Sequence, residues 1–209
     1  NQHAGPALEE QVRALQQLWG PCQPEQRLPL LELAMPALKR RPRRELLELL
    51  QLTENIAARG GDQAIFPFML GRVLRLYLEE SLAMPLGQNH GRLSLRQCAN
   101  EATEVLSLVA RHEGNLEPGQ RAFVHGYAKL GLGTAPSMGA PELGSPALIQ
   151  ALKKLDQLRP EDKEKFVHAM LTVAFYDRRV NVSELELIRA VCATLHVPLP
   201  PMEVARAGA

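Results

Sequence analysis

Apolar residues recur every three or four positions along most of this chain, which is the spacing of one face of an α-helix. No segment alternates convincingly in the manner of a β-strand. Clusters of glycine and proline separate the helical segments and predict where helices end. The pattern predicts helices over residues 7–19, 25–40, 43–58, 64–82, 94–111, 117–130, 147–156, 161–176 and 184–196. The predicted fold class is all-α, a compact array of about eight helices.

The densest cluster of glycine and proline lies at residues 131–146. That composition is incompatible with regular structure and predicts a long loop or linker. It divides the chain into an N-terminal helical part, residues 1–130, and a C-terminal helical part, residues 147–209, which we expect to pack on the first.

Three segments share one plan, in which a helix ends in a small residue, an acidic loop follows, and a second amphipathic helix begins. They are residues 55–78, 107–130 and 171–195. Aligned on their alanines, they place Asp62, Glu113 and Asp177 in or near the same turn. Divergent repeats of this kind predict stacked helix-loop-helix hairpins.

The third repeat shows two apolar faces. One is formed by Phe166, Met170, Val173 and Ala174, and the other by Leu185, Ile188, Val191, Cys192 and Leu195. We expect these two faces to pack together across the loop between them. Ser183 is a good N-cap, and Glu186 three residues later completes a capping box.

The loop from Asp177 to Glu184 supplies the candidate metal ligands of the chain. A calcium loop needs oxygen ligands at alternate positions and an internal glycine. In this loop, the cationic residues Arg178 and Arg179 occupy positions where a calcium loop would have oxygen ligands. The favoured interpretation is therefore that Asp177 and Glu184 brace the turn and that no metal binds, with metal binding as the alternative.

Composition, charge and cysteine spacing exclude several classes of protein. The chain of 209 residues is 45% apolar but only 4% aromatic, so a large core is filled mainly by aliphatic side chains. A formal charge of +1 argues against a dedicated nucleic-acid surface.

The three cysteines, Cys22, Cys98 and Cys192, form no CxxC motif, which suits a reducing compartment. We find no membrane span and no signal peptide. Because the chain starts at Asn1, we expect it to be a piece of a longer protein.

No motif predicts a catalytic or cofactor-binding residue. The sequence HEGNL at 112–116 lacks the second histidine of the zinc motif HExxH. No two histidines are three or four residues apart. The glycine-rich stretch at 131–139 lacks the strand, lysine and helix of a phosphate loop.

A basic run, Lys39, Arg40, Arg41, Arg43 and Arg44, is the strongest charge cluster. The favoured interpretation is a solvated helix junction in which Arg43 and Arg44 pair with the nearby Glu45 and Glu48. Contact with anionic lipid head groups is the second interpretation, and nucleic acid is the third.

The pattern A-x-x-D-x-x-V-x-x-x-E-x-x-x-I-x-x-x-C-x-x-L over residues 174–195, followed by PLPP, resembles the end of TerB-like helical domains. More closely, it is similar to the C-terminal region of bacterial membrane-bound M48-type zinc metallopeptidases, and residues 54–78 resemble an earlier unit of that region. The resemblance covers most of residues 25–201. Arg178 departs from it, because a glycine usually follows the aspartate.

The resemblance implies a non-catalytic cytosolic accessory domain that mediates protein–protein interaction or regulation. The catalytic motif and its zinc would then lie upstream in the parent chain. This piece, itself soluble, would lie on the cytoplasmic side of the inner membrane as part of that longer membrane protein. The partner would be the parent's catalytic domain or a peptide substrate. The alternative is a free-standing TerB-like stress-response module that binds metal through its acidic loops.

Overall fold

The computed structural model describes residues 6–20, 22–58, 65–78, 82, 91–111, 116–177 and 182–198. Within them the chain forms α1 (Pro6–Trp19), α2 (Pro24–Leu38), α3 (Arg43–Ala57), α4 (Ile65–Leu78), α5 (Ala99–Arg111), α6 (Leu116–Lys129), α7 (Pro146–Leu155), α8 (Pro160–Ala174) and α9 (Val182–Thr194). A 3-10 helix, Leu95–Cys98, precedes α5 directly. These residues contain no β-strand, so the all-α prediction is confirmed.

The chain consists of two compact units, residues 1–40 and 41–209. The first holds α1 and α2. Two prolines, Pro29 and Pro36, lie inside α2, and Pro24 occupies its first turn, where a missing N–H is tolerated. The second unit holds the remaining helices. The predicted division of the chain at residues 131–146 stays a prediction.

In the second unit, α3 packs on α4 and α5 packs on α6, as expected for the first two helical hairpins. The third pair behaves differently. Helix α8 packs mainly on α6, and α9 packs mainly on α4, while α8 and α9 contact each other only slightly. The expected packing of the two apolar faces across the loop is therefore a minor contact.

Burial around the whole circumference of α9 explains this difference. Its side chains at positions 184–188 and 190–193 are all buried, so they cannot belong to one face. A helix that is buried on all sides lies in the centre of a domain and has several neighbours, and the buried side chains of α9 include Glu184 and Glu186. The prediction that Ser183 is the N-cap of this helix was wrong, because α9 begins at Val182 and Ser183 therefore lies inside its first turn.

Residues 131–145 form a loop that is fixed to two helices. The hydroxyl of Ser107 on α5 accepts a hydrogen bond from the Gly139 N–H at 3.0 Å, and Arg111 Nε donates to the Gly139 carbonyl oxygen at 2.6 Å. Gly144 has a φ of +76° and lies against the end of α3, where an added Cβ would be 2.9 Å from the Ala57 carbonyl oxygen. A glycine is required there for both reasons.

Helices α6 and α8 approach closely at Gly126. A Cβ at this position would lie 2.2 Å from Val173 Cγ2 and 2.8 Å from the carbonyl oxygen of Ala169. The first contact involves a side chain that can move, but the second involves backbone. The crossing therefore depends on the absence of a side chain at Gly126.

Gly126→Ala is expected to lower the free energy of unfolding by about 1–3 kcal/mol, because overpacking outweighs the helix propensity that alanine adds. Gly139→Ala is the control, since its Cβ would have no neighbour closer than 3.7 Å. Urea unfolding of both variants checks this. Equal stability of the two variants would contradict the described crossing.

The cysteines provide a second test of the packing. Cys98 and Cys192 are buried, whereas Cys22 is exposed. Burial raises the pKa of the Cys192 thiol to about 12 and also raises the pKa of Cys98. Thiolate is the reactive form, so both buried thiols should be inert.

In the folded protein at pH 8, we expect Ellman's reagent to modify Cys22 within minutes and the two buried cysteines only after denaturation. A Cys22→Ser variant should then show no fast phase. Fast modification of more than one thiol in the native protein would show that the core around α5 or α9 is not packed as described.

Candidate functional site

The second unit contains a cleft of about 390 Å³ between α3, α4, α7 and the end of α9. Its described lining residues are Glu54, Arg72, Arg75, Leu76, Ile149, Lys153, Asp156, Ala193, Thr194 and His196. This volume is within the range of pockets that hold small organic molecules. Charged groups line one part of the wall and aliphatic side chains another.

On the α3–α4 side, Arg75 Nη2 donates a hydrogen bond to Glu54 Oε1. The two side chains are about one-third exposed, so their pairing is partly screened by solvent. The Arg75 Nε–H is buried and has no hydrogen-bond partner among the described residues. Arg75 therefore neutralises the charge of Glu54, while its Nε–H remains without an acceptor among the described residues.

Arg72 lies one turn before Arg75 on α4 and is only 9% exposed. Its guanidinium lies over the Phe68 ring, 5.4 Å from the ring centroid, which is a cation–π arrangement. Burial lowers the pKa of Arg72, the charge of Arg75 lowers it further, and Glu54 opposes both. Arginine nevertheless stays protonated in proteins. Among the residues that the structure describes, none forms an ion pair or hydrogen bond with its side chain.

On the opposite side, the buried ammonium of Lys163 on α8 organises the wall. Lys163 Nζ donates to Asp156 Oδ1 at 2.8 Å and to the carbonyl oxygen of Leu195 at 2.7 Å. His196 Nδ1 lies 3.2 Å from the same Asp156 oxygen. These contacts join the turn after α7, the first turn of α8 and the end of α9.

His196 ends α9 in a left-handed conformation, with a φ of +54°. The His196 N–H donates to the Ala193 carbonyl and the Val197 N–H to the Cys192 carbonyl, which is the Schellman arrangement. Glycine usually occupies this position, since a side chain adds strain there. The contact between the His196 imidazole and the Asp156 carboxylate offsets part of this strain.

Burial by itself would raise the pKa of the Asp156 carboxyl. The hydrogen bonds from His196 and Lys163, together with their charges, outweigh that effect and bring the pKa below its ordinary value. The carboxylate is therefore the stable form at neutral pH, held between two donors.

The structure does not bring the metal candidates into a visible site. Asp177 is exposed just after α8, while Glu184 lies in the first turn of α9, is 1% exposed and already has a partner. Residues 178–181 between them lie outside the described residues, as do Asp62 and Glu113 of the other two repeats. In the described part of the chain, no three His, Cys, Asp or Glu side chains are grouped to hold a metal ion.

The basic run is exposed and spans the boundary between the two units, with Lys39 and Arg40 in the first. Arg44 pairs with Glu48 at 2.8 Å, as expected. Glu45 pairs with Arg41 at 2.9 Å, and not with Arg43 as expected. Arg43 and Glu45 are two positions apart in α3 and do not face each other, whereas Arg41 precedes the helix and reaches Glu45 from outside it.

Sequence reasoning did not single out the cleft residues. Arg72 and Arg75 stand three residues apart in a helix that is otherwise almost entirely apolar, IFPFMLGRVLRLYL. That was an available signal, since arginine is rarely buried without a reason. Asp156 and His196 carry no comparable local signal.

Replacing Lys163 by methionine is expected to lower the free energy of unfolding by about 3–5 kcal/mol, because it leaves Asp156 and the Leu195 carbonyl without their buried donor. Lys165→Met on the same helix is the control, as Lys165 is 60% exposed and pairs loosely with Asp162. Its cost should be below about 1 kcal/mol. Urea unfolding at pH 7 checks both, and equal costs would contradict the described network.

The difference between wild type and Lys163→Met should depend on pH. A carboxyl whose folded pKa is depressed contributes stability above its unfolded pKa, about 3.9 for aspartate, and loses it as pH falls through the folded pKa. The difference is therefore expected to be present at pH 5 and to shrink below about pH 4. A difference that persists unchanged at pH 3 would show that Asp156 is not the partner that matters.

Comparison with known proteins identifies one region. Residues 142–208 match the model of the family described as tellurite resistance protein TerB. No curated protein and no solved structure gives a significant match to the chain. Among the described helices, none has both the length and the apolar character needed to cross a membrane. Helices α7–α9, which provide Lys153, Asp156 and His196 to the cleft, thus form a TerB-like helical region.

Proposed function

We propose that this chain is a non-catalytic helical module of the tellurite-resistance type, which acts by binding and not by chemistry. The observation that carries this proposal is the TerB match over residues 142–208, whose helices α7–α9 build one wall of a cleft large enough for a ligand. The other wall comes from α3 and α4, which precede the matched region. The binding unit would therefore be larger than the matched region alone.

The chemistry of the cleft supports binding over catalysis. The Asp156–His196 pair could orient a general base, but Asp156 also accepts from Lys163. Among the described lining residues, Thr194 supplies the one hydroxyl, and it donates to the Ala190 carbonyl oxygen at 2.8 Å. A serine-type or threonine-type nucleophile needs its proton directed to a base. The arrangement here favours holding a ligand.

At a finer level, we propose that the module belongs to a membrane-bound zinc metallopeptidase, as its accessory domain on the cytoplasmic side. The support is the resemblance of residues 54–78 and 174–201 to the C-terminal region of such enzymes. The parent's catalytic domain, with its zinc, or a peptide substrate would be the partner. The exposed basic run from Lys39 to Arg44 would suit a position beside anionic lipids.

The gene upstream of the codon for Asn1 tests this parent directly. The proposal predicts apolar spans and an HExxH motif in the same reading frame. A frame that opens within a few residues of Asn1 would contradict it and favour the free-standing alternative. Calorimetric titration with calcium, magnesium and zinc then tests that alternative, which requires binding that Asp177→Asn and Glu184→Gln reduce.

A further inference from the structure

The charges around the cleft are not balanced. Its described lining includes three cationic side chains, Arg72, Arg75 and Lys153, and two carboxylates, Glu54 and Asp156. Both carboxylates already have cationic partners, Glu54 in Arg75 and Asp156 in Lys163. In the described part of the chain, neither Arg72 nor Lys153 forms an ion pair with a carboxylate, and Glu54 acts on Arg72 only through its charge at longer range.

Arg72 makes this imbalance significant, because the residue is only 9% exposed. Burying an unpaired charge is costly, and buried charges are normally paired or bound to a ligand. The cation–π contact with Phe68 offsets part of that cost, but it uses none of the five N–H donors of the guanidinium. Those donors are a reason to expect an acceptor from outside the chain.

The groups around Arg72 indicate what kind of acceptor would bind there. A guanidinium matches the two oxygens of a carboxylate or phosphate group through a planar pair of N–H donors. The buried Arg75 Nε–H is a further donor without a partner, and Lys153 adds an exposed positive charge. Leu76, Ile149 and Ala193 give the rest of the wall an apolar character.

We propose that this cleft is a binding site for a small organic oxyanion, with Arg72 as the principal anchor. The oxyanion group, a carboxylate or a phosphate, binds Arg72 and is assisted by Arg75 and Lys153. A short apolar portion of the same molecule lies against Leu76 and Ile149. This proposal rests on the proposed binding function, because it names the ligand class of the same cleft, but it does not depend on a metallopeptidase parent.

The test is thermal unfolding of the full chain with inorganic phosphate or with butyrate, at pH 7 and at an ionic strength held constant with sodium chloride. The wild type should show a saturable rise in Tm of about 3 °C or more with at least one of the two probes. The probe that acts at the lower concentration identifies the group as phosphate or carboxylate. No saturable rise with either probe would overturn the proposal.

Arg72→Met separates a specific site from general salt effects. This variant loses the rise in Tm, and in probe-free buffer its Tm should equal or exceed that of the wild type, because an unpaired buried charge has been removed. Arg96→Met is the matched control, with the same charge change at an exposed position of the 3-10 helix. It should keep the full rise. An equal rise in wild type and Arg72→Met would overturn the proposal.

Lys153→Met provides a second variant at an exposed position, where substitution leaves the core intact. We expect its apparent affinity for the active probe to fall by about threefold to tenfold, as befits the loss of a partly solvated charge–charge contact. An affinity equal to that of the wild type would remove Lys153 from the site. Unchanged affinity in both Arg72→Met and Lys153→Met would locate the probe elsewhere.

Discussion

The ammonium of Lys163 is the group on which the arrangement of α7, α8 and α9 depends. It is 5% exposed, and an ammonium in that position is tolerated only when it is paired and hydrogen-bonded. Asp156 supplies the charge, and the Leu195 carbonyl supplies a second acceptor. That carbonyl is at the end of α9, where backbone acceptors lack helical partners and a cation is favoured by the helix dipole. One side chain thus balances a charge and caps a helix.

The contacts of Lys163 with Asp156 and with the Leu195 carbonyl also shape one wall of the cleft. They hold the end of α9 in place, and His196 then adopts its left-handed conformation beside Asp156. In the wall formed by α7–α9, the Asp156 carboxylate is therefore paired. On the opposite wall, Arg72 is buried on α4 with an aromatic ring as its described neighbour. This difference between the two walls is the basis of the proposal that the cleft binds an anionic ligand.

The sequence was informative where structure is determined locally. Gly20, Pro42 and Pro160 mark helix ends because their backbone preferences act within a few residues, and the helices were predicted with small errors at their ends. The packing of α9 could not be predicted in this way. Its apolar residues were assigned to one face, but the structure buries it on all sides, chiefly against α4, which is more than a hundred residues earlier in the chain.

The cleft was missed for a related reason. Its polar contacts join residues that are 21 and 40 positions apart, so no spacing rule connects Glu54 with Arg75 or Asp156 with His196. The loop from Asp177 to Glu184 attracted attention because its acidic residues are close in sequence. Arg72 attracted none, although its burial without a described anionic partner is apparent once the helices are assembled.

Hydrogen exchange at the end of α9 tests most directly whether Lys163 fixes this wall of the cleft. The amides of Leu195, His196 and Val197 each donate to a carbonyl within the last turns of α9. In Lys163→Met, the account predicts that these amides lose protection relative to the amides of α5, which serve as an internal reference. Protection that stays equal to that of the wild type would contradict it, because the end of α9 would then be held by something other than the buried ammonium.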